Sequence, residues 1–293
     1  MKTNDRKPFS IEVLGSGGAV VTPRPGCLCR VCEEARKKGV PYARTGPSVF
    51  IHGPNILIDT PEESAFQLAR ARISDVSTCL FTHWHPDHTQ GLRALEMNMD
   101  WRQWRPISTT YVHVFPNMRD TFMNHYEIWD RLRYLQEKRL IEIQEHSETT
   151  EFTVSNVSVI PLQLPFFGGY GYLFTEGNKR AVVCLDEVKQ WEPPSVVHGA
   201  DIAILPLGIV ATHPLTGKQN ISKDNPLLKC ELSWDEALQI GEYIQAKRTV
   251  YIHLSEPDDI SVNEFAILGR ELSKKYGRLI EFGFDTQNIR FDD

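Results

Sequence analysis

Short apolar runs separated by helical patterns organise this chain. Runs at 11–14, 48–52, 55–59, 78–81, 111–114, 152–160, 172–175, 181–185, 202–205, 249–253 and 279–284 predict strands. Between them, apolar residues at helical spacing predict helices over 62–72, 89–98, 118–139, 233–246 and 261–276. The fourth helix opens on Ser233-Trp234-Asp235-Glu236, which has the form of a capping box. No repeat, low-complexity tract or linker divides the sequence. The pattern predicts one α+β domain spanning 1–293, in which two sheets are sandwiched between helices.

Composition narrows the class. With 293 residues and 41% hydrophobic content the chain can bury one large core, and its apolar runs are too short and interrupted to span a membrane. Residues 1–7 are polar and precede the first strand without a signal-like apolar stretch, so a cytoplasmic protein is expected. The net charge of −6 comes from well-mixed acids and bases, which leaves no broad basic surface for nucleic acid. Of six cysteines, Cys79 and Cys184 sit in apolar strand-like runs and read as core residues, while Cys230 lies in a polar loop. Cys27, Cys29 and Cys32 fall within six positions, a spacing that suggests metal in a reducing compartment.

The chemistry concentrates in Thr82-His83-Trp84-His85-Pro86-Asp87-His88, which follows a predicted strand and places four metal-binding side chains within six positions. His83 and His85, two apart, project to one side of an extended chain, and Asp87 and His88 follow where a helix can begin. A mixed His/Asp shell suits zinc, manganese or iron. Asp186 and His253 end buried strand-like runs, where chemistry is usually presented, and become ligand candidates beside this cluster. Gly15-Ser16-Gly17-Gly18 lacks the Lys-Ser/Thr of a P-loop and reads as a tight turn that uses glycine for positive φ.

The stretch 82–92, with Asp59, Asp186 and His253, resembles the metallo-β-lactamase superfamily of hydrolases. Leu14-Gly15-Ser16-Gly17-Gly18-Ala19 followed by Gly26-Cys27-Leu28-Cys29-Arg30-Val31-Cys32 is similar to the branch containing the cyclic phosphodiesterase of phosphonate breakdown. The resemblance implies an αββα four-layer sandwich with the site at one edge. It assigns His83 and His85 to a first divalent metal, Asp87, His88 and His253 to a second, and Asp186 to a bridge between them. Asp59 would orient a ligand histidine. The cysteines at 26–32 would hold a separate structural zinc, with Glu256 at the family position of the fourth ligand and His213 as an alternative.

The pattern departs from the family in two places. The histidine expected after the long strand is replaced by Leu164, leaving the first metal one ligand short and the second the better-filled site. The usual proton-donor histidine has no match near 227–232, where Lys229 stands, and His213 is the other candidate. Asp87 would orient the attacking water. A segment over 99–140, carrying Trp101, Trp104, Trp129 and Tyr134 among arginines, offers a helical lid, and residues 166–172 a pocket wall. The expected activity is metal-dependent hydrolysis of small phosphodiesters, cyclic ones included. Hydrolysis of another ester or lactone, and a non-catalytic accessory protein, are the alternatives, with a homodimer left open.

Overall fold

The computed structural model describes residues 8–292, so the expectation for residues 1–7 lies outside the described residues. In chain order the first part comprises strands β1 (Ser10–Gly15), β2 (Ser48–His52), β3 (Ile56–Ile58) and β4 (Thr78–Leu80). A small hairpin of β5 (Met99–Asp100) and β6 (Arg105–Pro106) precedes β7 (Thr110–Val114) and β8 (Ile141–Glu145). The second part holds β9 (Phe152–Val154), β10 (Val157–Gln163), β11 (Tyr170–Glu176), β12 (Lys179–Val183), β13 (Ile202–Pro206), β14 (Arg248–Ile252), β15 (Leu279–Phe282) and β16 (Gln287–Ile289). Two seven-stranded sheets result, ordered β16-β1-β2-β3-β4-β7-β8 and β15-β14-β13-β12-β11-β10-β9. Both are mixed: β3, β4, β7 and β8 run parallel, as do β12 to β15, and the remaining pairs are antiparallel.

Helices α1 (Arg30–Lys38), α2 (Ser64–Arg70), α3 (Pro86–Thr89), α4 (Met118–Asn124) and α5 (Ile128–Glu137) belong to the first half, and α6 (Leu227–Cys230), α7 (Trp234–Ile244) and α8 (Val262–Tyr276) to the second. Full capping boxes start α7 at Ser233 and α8 at Ser261. Alternate residues of the second sheet enter different cores. Val183, Ile202, Ile204, Val250 and Ile252 join the first sheet and α4/α5, whereas Val182, Ala203, Leu205 and Tyr251 pack with α7 and α8. Burial on both faces explains why these strands read as continuous apolar runs rather than as alternation.

Several expectations change. The single helix over 118–139 is broken at Tyr126 and Glu127, both at positive φ, and the strand over 152–160 is a hairpin turned at Ser155 (φ 58°). The lid segment 99–140 contains β7, which pairs with β4 and β8 inside the first sheet, so only parts of it can face the site. Residues 92–98 form a 3-10 segment, and α1, β8 and β16 had no predicted counterpart. In the turn 15–18 no φ is positive; space is what requires glycine, since a Cβ on Gly15 would lie 1.9 Å from the Gly46 carbonyl oxygen.

The C-terminal segment is tied to this turn by a buried carboxylate. Asp285 Oδ1 accepts from the Ser16 N–H and hydroxyl, both at 2.9 Å, and Oδ2 from the Thr45 N–H (3.0 Å), the Thr45 hydroxyl (2.6 Å) and Arg70 (3.0 Å). Asp285→Ala strands these donors and the arginine, and should cost ~3–5 kcal/mol, read as a lower urea midpoint; a loss under ~1 kcal/mol would contradict this role.

Candidate metal centre

The parallel strands deliver their C-terminal ends to one edge of the sandwich, where open α/β sheets usually bind ligands. Asp59 follows β3, Thr82 to His85 follow β4 and lead into α3, which carries Asp87 and His88, Asp186 and Glu187 follow β12, and His253 follows β14. Asp59, Glu187 and His253 all adopt left-handed backbone (φ 60°, 58° and 60°), uncommon for such residues and held by surrounding packing.

Asp59 is completely buried. Its Oδ1 accepts from the Thr82 N–H at 2.7 Å, and its Oδ2 from the Thr82 hydroxyl at 2.6 Å and from His88 Nδ1 at 2.7 Å. With Nδ1 so committed, His88 Nε2 points away and has no hydrogen-bond partner, as does His253 Nε2. Asp87 Oδ2 lies 3.2 Å and 3.6 Å from these two nitrogens, and Asp186 Oδ2 3.9 Å and 3.3 Å. Beside them, His83 Nε2 and His85 Nδ1 lie 2.8 Å apart.

The ligand atoms gather into two groups, His83, His85, Asp186 and Glu187 in one and Asp87, His88 and His253 in the other, with the atoms of each within 4.8 Å. Buried imidazole nitrogens without partners, converging with carboxylates, are the donor set of divalent ions, so the residues present fit metal. The electrostatics differ from residue to residue. Burial and the flanking His88 and His85 rings push His83 well below the ordinary histidine range, keeping it neutral. Burial opposes charge on His88, yet the Asp87 and Asp59 carboxylates raise it well above that range. Asp87, although buried, is held low by His88 and His253. Burial, with Asp186 and Glu231 nearby, pushes Glu187 up to about 8.

Gly18 packs against His253: a Cβ there would meet the Ser255 hydroxyl at 2.3 Å and His253 Nδ1 at 3.3 Å. The glycine turn therefore backs His253. On the opposite side Trp84 stacks on His125 (3.8 Å) and Tyr126 (5.9 Å), and the Phe167 ring lies 4.8 Å from His85. From residues 166–172, Phe167 packs near His85 and the Tyr170 N–H donates to the Thr82 carbonyl at 2.7 Å, whereas Trp101 and Trp104 lie exposed on and beside the hairpin.

Cys27, Cys29, Cys32 and Glu256 form a third group. Cys29 caps α1 and Glu256 also pairs with Arg24. Burial pushes the Cys32 thiol up to about 12. His213 lies elsewhere, buried with Nε2 3.7 Å from Glu264, and is part of none of the three groups. Lys229 is exposed on α6. Two further residues had no sequence signal of their own: Glu187, hidden as the neighbour of Asp186, and Glu231, a half-buried acid raised by burial and by Asp186.

Residues 54–254 match the family described as Beta-lactamase superfamily domain, and the chain belongs to it. The solved structure of Zn2+-bound PqqB from Methylobacterium extorquens superposes with a TM-score of 0.72 at 14% identity, covering 96% of this chain and 99% of that one. A diphosphatase from the PhnP family superposes at 0.67 and 20% identity, covering 96% of each chain. These likenesses establish the metallo-β-lactamase fold. An octanoyltransferase of Porphyromonas gingivalis is 31% identical over 161 residues, which are 52% of this chain and 30% of that protein. The chain thus spans under a third of that relative's length.

Asp59→Asn keeps the shape of the side chain but removes the charge that fixes His88. Affinity for a divalent ion should fall about 10–100-fold with the fold retained, measured by metal titration alongside circular dichroism; unchanged affinity would deny Asp59 this orienting role.

Proposed function

We propose that this protein is a metal-dependent hydrolase of small phosphodiesters. The observation that carries the reading is the pair of ligand groups meeting at Asp186, with the Nε2 atoms of His88 and His253 unpartnered. His83, His85 and Asp186 would hold one ion, Asp87, His88, His253 and Asp186 the other, and Cys27, Cys29, Cys32 and Glu256 a structural zinc. Bound there, divalent ions acidify water and offset charge developing on oxygen.

The chain's own residues supply orientation and proton movement. Asp87, held ionised, accepts a hydrogen bond from the attacking water. Asp59 keeps His88 in the tautomer whose Nε2 faces the site. Glu231 takes the donor role that the sequence assigned to Lys229 or His213: a carboxyl kept protonated above its usual range can deliver a proton to the leaving oxygen. Trp84, His125, Tyr126 and Phe167 give a flat wall beside His85 suited to a ring-bearing substrate.

A second reading, hydrolysis of a carboxylic ester or lactone, is favoured by the match to a protein named octanoyltransferase. Bis(p-nitrophenyl) phosphate and p-nitrophenyl octanoate, each assayed with Mn2+ or Zn2+, separate the two. Turnover of the phosphate, lost with chelator and reduced ~100-fold or more in Asp87→Asn, is expected. Turnover of the octanoate alone would replace the first reading by the second. An elemental count should fall by one zinc in Cys32→Ser.

For the proton donor, an acid must be protonated, so activity should decline as pH rises through the raised pKa of Glu231. Glu231→Gln should lower kcat at least ~10-fold and abolish that alkaline limb. An unchanged profile would return the role to another group.

A further inference from the structure

The position where the resemblance leads one to expect a histidine is committed to packing. Leu164 is buried in the second core, and its N–H donates to the Gly169 carbonyl at 2.9 Å to close the β10–β11 turn. The place this leaves beside His83 and His85 is reached from a different strand. Glu187, one residue beyond Asp186, turns inward through its left-handed backbone and is largely buried. Its Oε1 lies 3.4 Å from His85 Nδ1 and 4.0 Å from His83 Nε2.

These separations are longer than hydrogen bonds ordinarily are, and they suit ligation. Donor atoms placed about 2.1 Å from a tetrahedral ion stand roughly 3.4 Å from one another. An ion pair with His85 alone would not require Glu187 to share one 4.8 Å neighbourhood with His83 and Asp186 as well.

We propose that Glu187 is a protein ligand of the first metal position, replacing the absent histidine and giving that position two imidazoles and two carboxylates. The inference rests on the two-metal reading above. Its chemical consequence is a change in preference. Substituting a carboxylate for a neutral imidazole adds a negative charge and a hard oxygen donor, which shifts the position from Zn2+ toward oxygen-seeking ions such as Mn2+ or Fe2+. Asp87, Asp186 and Glu187 then place three carboxylates around two divalent ions. The first position is not the deficient one that the sequence suggested, because its missing ligand is replaced from β12.

Titration of the zinc-depleted full chain with Mn2+, followed by the electron paramagnetic resonance signal of free Mn2+ and by elemental analysis, tests this without recourse to activity. The wild-type chain should bind two Mn2+. Glu187→Ala, or the isosteric Glu187→Gln if the alanine variant unfolds, should weaken one of the two ions about tenfold or more and leave the other. Glu187→His should restore two-ion binding and move the preference toward Zn2+. Two ions bound equally well by wild type and Glu187→Gln would overturn the ligand role while leaving the hydrolase reading intact. One ion in wild type, unaffected by Glu187→Gln, would do the same. No ion bound by wild type outside the cysteine group would instead remove the hydrolase reading itself.

Discussion

A single buried carboxylate organises the metal edge. Asp59 leaves the end of β3 in a left-handed conformation and accepts three hydrogen bonds, two from Thr82 and one from His88. Thr82 is the residue at which β4 gives way to the histidine loop, so one side chain fixes both where that loop starts and which nitrogen its last histidine presents. Burying a carboxylate costs several kcal/mol unless its lone pairs are satisfied, and here the donors come from the loop it orders. The arrangement of His83, His85 and Asp87 follows from that anchoring, since they lie between the two tethered points.

The sandwich supplies the other half of the site by topology. Parallel strands present their C-terminal ends on the same side, so β12 and β14, far from β4 in sequence, bring Asp186, Glu187 and His253 to the loop after β4. The glycine turn after β1 closes against His253 from behind, and Asp285 holds that turn in place from the C-terminal segment. Residues as distant as 16, 45, 70 and 285 thereby set the backing of His253.

Much of this was legible in the chain. The strands 48–52 and 78–81, the capping box at Ser233, and the histidine and aspartate cluster at residues 83–88 are local patterns, fixed by periodicity or by unusual residue density. The sequence failed where a local pattern has two outcomes. An amphipathic stretch from 118 to 139 looks the same whether one helix or two, and the break at Tyr126 and Glu127 is what brings Tyr126 and His125 against Trp84. Short strands such as β8 and β16 carry too few apolar residues to stand out and exist because neighbouring strands pair with them.

The sequence by itself determined the kind of chemistry: His83, His85, Asp87 and His88 at that spacing, with strand-ending Asp186 and His253, describe a divalent-metal edge, and Cys27, Cys29 and Cys32 a separate thiolate group. Tertiary structure decided which further acids stand beside them. The fold brings Glu256, the fourth ligand that the resemblance implied, to the cysteines across more than two hundred residues and leaves His213 outside that group, while burial and Asp186 raise the half-buried Glu231 carboxyl. Glu187 stands beside His83 and His85 because its backbone turns left-handed after β12. Ligation depends on where atoms converge, and that convergence is set by strand order and backbone conformation that no local pattern encodes.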